Sequence, residues 1–180
     1  MRLTLRILSL LLVLSVTSTA LGASQRKVPA YEKYIKQYSS LAIQHQKKYR
    51  IPASITLAQG LLESGAGRSE LARKSNNHFG IKCHSDWRGG RVYHDDDLRG
   101  ECFRKYKNPE QSYEDHARFL VDRPRYASLF RLKVTDYKGW ARGLQKCGYA
   151  TDRAYANRLI KLIEDYDLYR YWLLYTSPSP

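Results

Sequence analysis

The sequence predicts one α+β domain, mostly helical, with a small β-hairpin lobe. Three observations carry that expectation. Apolar residues recur at helical spacing on both sides of the chain's middle, and one Gly-rich alternating stretch interrupts them. No repeat or low-complexity linker divides the 180 residues, a length sufficient to bury one core.

The first 24 residues stand apart from that domain. Arg2 and Arg6 precede an apolar run from Ile7 to Val16, and the small residues Thr17, Ser18, Thr19, Ala20, Gly22 and Ala23 follow. A basic start, an apolar stretch of about ten residues and a small-residue exit are the marks of a secretory signal peptide. Cleavage after Ala20 and cleavage after Gly22 both fit. The run is short for a membrane span. Residues 1–24 are therefore expected to direct export and be removed, leaving a domain at 25–171 with no stable membrane insertion; an uncleaved N-terminal anchor is the alternative.

Pro29 suits a first helical turn and opens a helix expected to reach Tyr49, with Tyr31, Tyr34, Ile35, Tyr38, Leu41, Ala42 and His45 at helical spacing. Pro52 opens a second helix to about Ser64, stopped by Gly65 and Gly67. Ser69 and Glu70 start a short third helix that Asn76-Asn77 ends. From Cys83 to Tyr106 the pattern changes. Gly89-Gly90, alternation from Val92 to His94, an Asp95-Asp96-Asp97 tip, Gly100, and Glu101 to Tyr106 describe a hairpin. Helical patterns resume over 109–122, 126–130, 136–147 and 152–165. Past Tyr169 they fade. The string Leu173-Leu-Tyr-Thr-Ser-Pro-Ser-Pro180 resembles a translated sequencing-adapter read-through, and 172–180 is expected to be an irregular tail outside the domain.

Charge and aromatic content narrow the partner. With 31 Lys+Arg against 17 Asp+Glu the chain carries +14, and it stays strongly basic without Arg2 and Arg6. That charge favours nucleic acid, an anionic membrane or an anionic wall polymer. Export and the lack of a recognisable nucleic-acid motif oppose the first. A hydrophobic fraction of 43% is too high for a disordered basic tail. The 15 Tyr and 3 Trp against 4 Phe suit polar ligands more than a dry core.

Cys83, Cys102 and Cys147 make an odd number for an exported chain. Cys83 and Cys102 fall on the two arms of the hairpin, so a bridge closing the lobe is the favoured arrangement; another pairing and three free thiols stay open. No C-x-x-C or H-x-x-x-H spacing accompanies them, and no metal site is expected.

The segment Ala58-Gln-Gly-Leu-Leu-Glu63-Ser-Gly-Ala-Gly67 holds the most chemical information. Ile55, Leu57, Ala58, Leu61 and Leu62 form one helical arc, with Gln59 and Glu63 on a stripe just outside it. Glu63 thus sits beside an apolar face near a helix C-terminus. Burial and the negative end of the helix dipole both disfavour its ionised form. A carboxylic acid kept protonated near neutrality is the proton donor that glycosidic cleavage needs. Gly65-x-Gly67 would let a substrate or backbone approach closely. The plain alternative is a helix-terminal Glu paired with Arg68.

Leu62-Glu63-Ser64-Gly65-Ala66-Gly67-Arg68-Ser69, with Ser75-Asn76-Asn77-His78-Phe79-Gly80-Ile81-Lys82, closely resembles the signature of glycoside hydrolase family 73. These are the mannosyl-glycoprotein endo-β-N-acetylglucosaminidase-like domains of bacterial autolysins and flagellar peptidoglycan hydrolases. Phe103-Arg104-x-Tyr106 followed by Ser112-Tyr-x-Asp115-His116 is similar to the family's segment after the β lobe. Gly148-Tyr149-Ala150-Thr151-Asp152-x-x-Tyr155-Ala156 is similar to its late tyrosine motif. The resemblance extends over about 31–169. It implies a lysozyme-like fold, hydrolysis of the β-1,4 bond after N-acetylglucosamine in peptidoglycan strands, and no metal or organic cofactor. The domain is expected to act as an exported monomer, periplasmic or extracellular.

Carried over by position, Glu63 matches the family's general acid. A second acid, usually Glu in the family, faces a choice among Asp95, Asp96, Asp97 and Glu101. Matching Val92 to the strand before it points to Asp96, with Asp95 next. An Asp reaches one methylene less far, and a solvated turn is the plain alternative. Tyr149 matches the tyrosine the family places beside the acid. Tyr155 is either site or core. Asn77 and Phe79 would shape the floor near Glu63, and Trp87 would stack on a sugar ring; a turn residue, a core aromatic and lobe packing are their plain alternatives. Two rival functions stay in view. One is a lytic transglycosylase, which the Tyr149 motif opposes; the other is a non-catalytic basic wall-binding module.

Overall fold

The computed structural model describes residues 27–85, 87–96 and 98–175. The expected signal peptide at 1–24 lies outside them, as do Asp97 and the end of the expected tail, 176–180. Helices α1 (Pro29–Tyr49), α2 (Ala53–Ser64) and α3 (Glu70–Ser75) precede strands β1 (Gly90–His94) and β2 (Glu101–Lys105). Then come α4 (Pro109–Val121), a 3-10 segment (Pro124–Arg131), α5 (Tyr137–Lys146), α6 (Tyr155–Asp165) and a last 3-10 segment (Leu168–Tyr175). That final segment runs past the expected domain end at 171.

Most helix ends are written in local chemistry. Ser69, Asn108 and Asp136 each accept a bond from the backbone N–H three residues on, which starts α3, α4 and α5. Helix α5 ends in a Schellman turn: Gly148 N–H donates to the Gln145 carbonyl and Tyr149 N–H to the Leu144 carbonyl, with Gly148 at φ +71°. Helix α6 begins three residues later than the pattern over 152–165 predicts. Asp152 accepts from Ala154 N–H at 2.7 Å and so holds a turn there instead.

Helix α2 is the axis of the molecule. Every residue from Ala53 to Leu61 is buried, so it lacks the solvated face of an ordinary amphipathic helix. Helices α1, α5 and α6 and the last 3-10 segment pack around it. Gln59, expected just outside the apolar arc, is 0% exposed. The close approach of α1 and α4 depends on Gly60: a Cβ there would stand 2.5 Å from the Tyr34 hydroxyl and 3.0 Å from the Tyr113 hydroxyl. Those hydroxyls form a buried line, Tyr113 to Tyr34 at 2.8 Å and Tyr34 to His78 Nδ1 at 2.8 Å.

The β lobe is one antiparallel hairpin pairing Val92 with Phe103 and His94 with Glu101. A disulfide joins Cys83 to Cys102, and Cys147 is free. Asn77 fastens the lobe to the helices. Its side-chain NH2 donates to the carbonyls of Ile81 (3.0 Å) and Arg104 (2.9 Å), and its oxygen accepts from Ile81 N–H at 3.1 Å. Buried and fully bonded, it makes the turn rigid.

Candidate active site

A cavity of about 510 Å³ opens where the C-terminal end of α2 faces the hairpin and the start of α6. Glu63, Phe79, Asp96, Tyr149 and Tyr155 all line it. The chain delivers Glu63 there because α2 is buried up to its last turn and Ser64 locks that turn. The Ser64 hydroxyl donates to the Gly60 carbonyl at 2.5 Å and accepts from Gly67 N–H at 2.7 Å. Gly65, Ala66 and Gly67 then take φ of +56°, +58° and +74°, reversing the chain within one loop. Neither glycine of the loop lines the cavity, and Gly67 abuts Tyr34 and His78.

Glu63 is partly buried and its carboxyl is pushed up to about 7. Burial is the main cause, and the Asp96 carboxylate across the cavity adds to it. Two groups pull the other way, the Tyr155 hydroxyl, which donates to Oε1 at 2.8 Å, and the Arg158 guanidinium. A carboxyl so poised keeps its proton in about half of the molecules at neutral pH, with one oxygen left to deliver it.

Behind Tyr155 the hydrogen bonds continue. Gln59 Nε2 donates to the Tyr155 hydroxyl at 2.9 Å, and Gln59 Oε1 lies 3.1 Å from His116 Nε2. His116 is fully buried and stacks on Phe79 with ring centroids 3.9 Å apart. Burial pushes its imidazole down to about 3, so it is neutral. Sequence reasoning missed both roles. The helical period puts Gln59 on the Glu63 stripe, but its partners lie 57 and 96 residues away.

Asp96 borders the cavity from the hairpin turn, its side chain 53% exposed and ion-paired with Lys82 at 3.3 Å. Asp95 does not line the cavity; its carboxylate accepts from Gly100 N–H at 2.7 Å and closes the turn. Glu101 is held by Lys82 at 2.9 Å. Tyr149 walls the cavity with its ring, stacked on Tyr155 at 5.6 Å, while its hydroxyl is buried with no partner among the described residues.

Phe79 forms floor and core at once, at 3% exposure. Asn77 supports that floor from behind, and the cavity wall does not include it. Trp87 lies on the far side of the lobe: its indole donates to the Gly90 carbonyl at 2.8 Å and the Arg104 guanidinium covers its ring at 4.6 Å. The structure thus unites Glu63, Asp96, Tyr149, Tyr155 and Phe79, and leaves Asn77, Asp95 and Trp87 off the cavity surface. Among the described residues no group of three or more His, Cys, Asp or Glu is placed to hold a metal ion, and no helix is long and apolar enough to cross a membrane.

Known proteins share this arrangement of helices and hairpin. The catalytic domain of the autolysin Auto from Listeria monocytogenes superposes with a TM-score of 0.68 at 33% identity, over 81% of this chain and 89% of that one. The exo-glucosaminidase LytG of Bacillus subtilis is 38% identical over 139 residues, 69% of this chain and 48% of LytG. The peptidoglycan hydrolase FlgJ of Vibrio parahaemolyticus is 32% identical over 147 residues, 76% of this chain and 47% of FlgJ. The chain spans about half the length of these curated relatives. Residues 39–168 match the glucosaminidase family, described as mannosyl-glycoprotein endo-beta-N-acetylglucosaminidase, and the chain belongs to that glycoside hydrolase family.

Proposed function

We propose that this protein is an exported peptidoglycan hydrolase that cleaves the β-1,4 bond after N-acetylglucosamine, with Glu63 as general acid. One observation carries the reading: in a glucosaminidase-family chain, the cavity holds a carboxyl raised to about 7 facing a second carboxylate, Asp96. Glu63 delivers its proton to the glycosidic oxygen through the oxygen that Tyr155 leaves free. As the bond breaks, positive charge grows on the sugar ring, and Asp96 stabilises it or activates water. Lys82 holds Asp96 in place for that task. A 2-acetamido sugar supplies its own nucleophile where the second carboxylate stands too far away.

Tyr149 and Tyr155 act as a stacked wall that keeps water from the acid, and Phe79 supports the floor. The basic surface draws the protein to the anionic wall. Because peptidoglycan lies outside the cytoplasmic membrane, the reading requires export, for which residues 1–24 are the proposed signal. The protein works as a monomer, without nucleic acid.

The test is digestion of purified peptidoglycan by wild type and Glu63→Gln, with products read by mass spectrometry. Wild type should release reducing N-acetylglucosamine ends, and the variant should be at least about 100-fold slower. Anhydromuramic ends would assign a lytic transglycosylase instead. A variant as active as wild type would leave only wall binding.

A further inference from the structure

We infer that Gln59, with its amide oriented by His116, is a positioning residue for Glu63: it commits the Tyr155 proton to the carboxyl and so sets that group's orientation and proton affinity. The inference rests on the reading of Glu63 as proton donor. Gln59 and His116 are both 0% exposed, and neither lines the cavity, so neither touches substrate.

A phenol has one proton to donate. With Gln59 Nε2 donating into the Tyr155 oxygen at 2.9 Å, that proton points to Glu63 Oε1 at 2.8 Å. The amide of Gln59 could turn over with almost no change of shape. Turned, its oxygen would take the Tyr155 proton and release Glu63. His116 selects between the two. Its neutral ring carries one proton; placed on Nε2 it donates to Gln59 Oε1, and Nδ1, which has no partner among the described residues, is the bare nitrogen. The other tautomer would set two lone pairs face to face at 3.1 Å and bury an unpaired N–H. Stacking on Phe79, with the rings 14° from parallel, limits rotation of the imidazole.

The donated bond favours the ionised form of Glu63, so its loss raises the affinity of Glu63 for its proton. Other charges face the acid as well. Arg158 of α6 and Asp96 of the hairpin turn act on it directly. Lys82, His84, His94, Arg125 and Asp152 line the same cavity. All of these are common to wild type and variants, so the difference between profiles isolates the relay.

The experiment records pH–rate profiles on soluble peptidoglycan fragments for wild type, Gln59→Met, Tyr155→Phe and the double variant, each checked for folding by circular dichroism. Gln59→Met keeps the volume. It should lower kcat about 10-fold and move the alkaline limb up by about half to one pH unit. Tyr155→Phe should move it in the same direction, and the double variant no further than Tyr155→Phe alone. Gln59→Glu offers Tyr155 a competing carboxylate and should move the limb the same way. A folded Gln59→Met with an unmoved limb, or additive shifts in the double variant, would overturn the inference while leaving Glu63 as the acid. An active Glu63→Gln would instead remove the reading beneath it.

Discussion

Asp96 Oδ2 lies 3.3 Å from Lys82 Nζ, so the hairpin carboxylate that borders the cavity is anchored by a cation from the turn that Asn77 braces. The same ammonium reaches Glu101 at 2.9 Å. Lys82 therefore links the base of the lobe to its tip.

Removing that anchor should weaken catalysis without unfolding the domain. Both side chains are partly solvated, 33% exposed for Lys82 and 53% for Asp96, which limits the pair's strength to roughly 1 kcal/mol or less. Lys82→Met should cost about 3–10-fold in kcat, against about 100-fold for Asp96→Asn. Both variants should melt within a few degrees of wild type. Equal activity of Asp96→Asn and wild type would remove Asp96 from the reaction.

The raised Glu63 carboxyl predicts a pH-dependent stability. Its ordinary value is 4.5 and its value in the fold is about 7. The folded state thus binds this proton more tightly than the unfolded chain. Stability from this group is fully present below 4.5 and is lost as pH rises through about 7. The loss has an upper limit of roughly 3 kcal/mol, reduced by partial exposure. Glu63→Gln should therefore denature at higher urea concentration than wild type at pH 8, and at the same concentration at pH 4. A variant no more stable at pH 8 than wild type would show that Glu63 ionises freely.

Gly60 offers a packing test on the side of α2 that meets α1 and α4. Gly60→Ala places a methyl 2.5 Å from the Tyr34 hydroxyl, which is buried and already bonded to Tyr113 and His78. Something in the α1–α2–α4 contact must shift. The expected loss is about 1–3 kcal/mol in chemical denaturation, opposite in sign to Gly→Ala in an open helix, where alanine stabilises.

Reduction of the Cys83–Cys102 bridge should loosen the lobe more than the helical body. The bridge closes a segment with a sequence separation of 19, worth about 3 kcal/mol in the chain-entropy account. Amide exchange over 82–106 should accelerate under reducing conditions, while α2 keeps its protection. Activity should fall, because Asp96 rides on the hairpin. Uniform acceleration across the chain would instead place the lobe within the global folding unit.

Much of this fold was legible along the chain because its signals are local. Pro29 begins α1, Gly148 supplies the left-handed turn after α5, and Asp136 caps α5 within three residues of itself. The alternation from Val92 to His94 and the cysteine spacing foreshadowed the hairpin and its bridge. The position of Glu63 beside an apolar arc at a helix end follows from one helix and its period; its reading as an acid comes from the motif resemblance.

The rest depended on contacts between distant segments. Gln59 reads as a polar residue on a stripe just outside the apolar arc until α4 and α6 close over it; then burial makes unpaired polar atoms costly, and His116 and Tyr155 become its necessary partners. Asp95 and Asp96 are adjacent and chemically identical. The turn assigns one to Gly100 and the other to the cavity, a choice set by backbone geometry at the hairpin tip. Trp87 had the chemistry to hold a sugar, yet the lobe turns it onto Arg104. A helix's period places Glu63 at the edge of the core; its raised proton affinity comes from burial and from what α6 and the hairpin turn set around it.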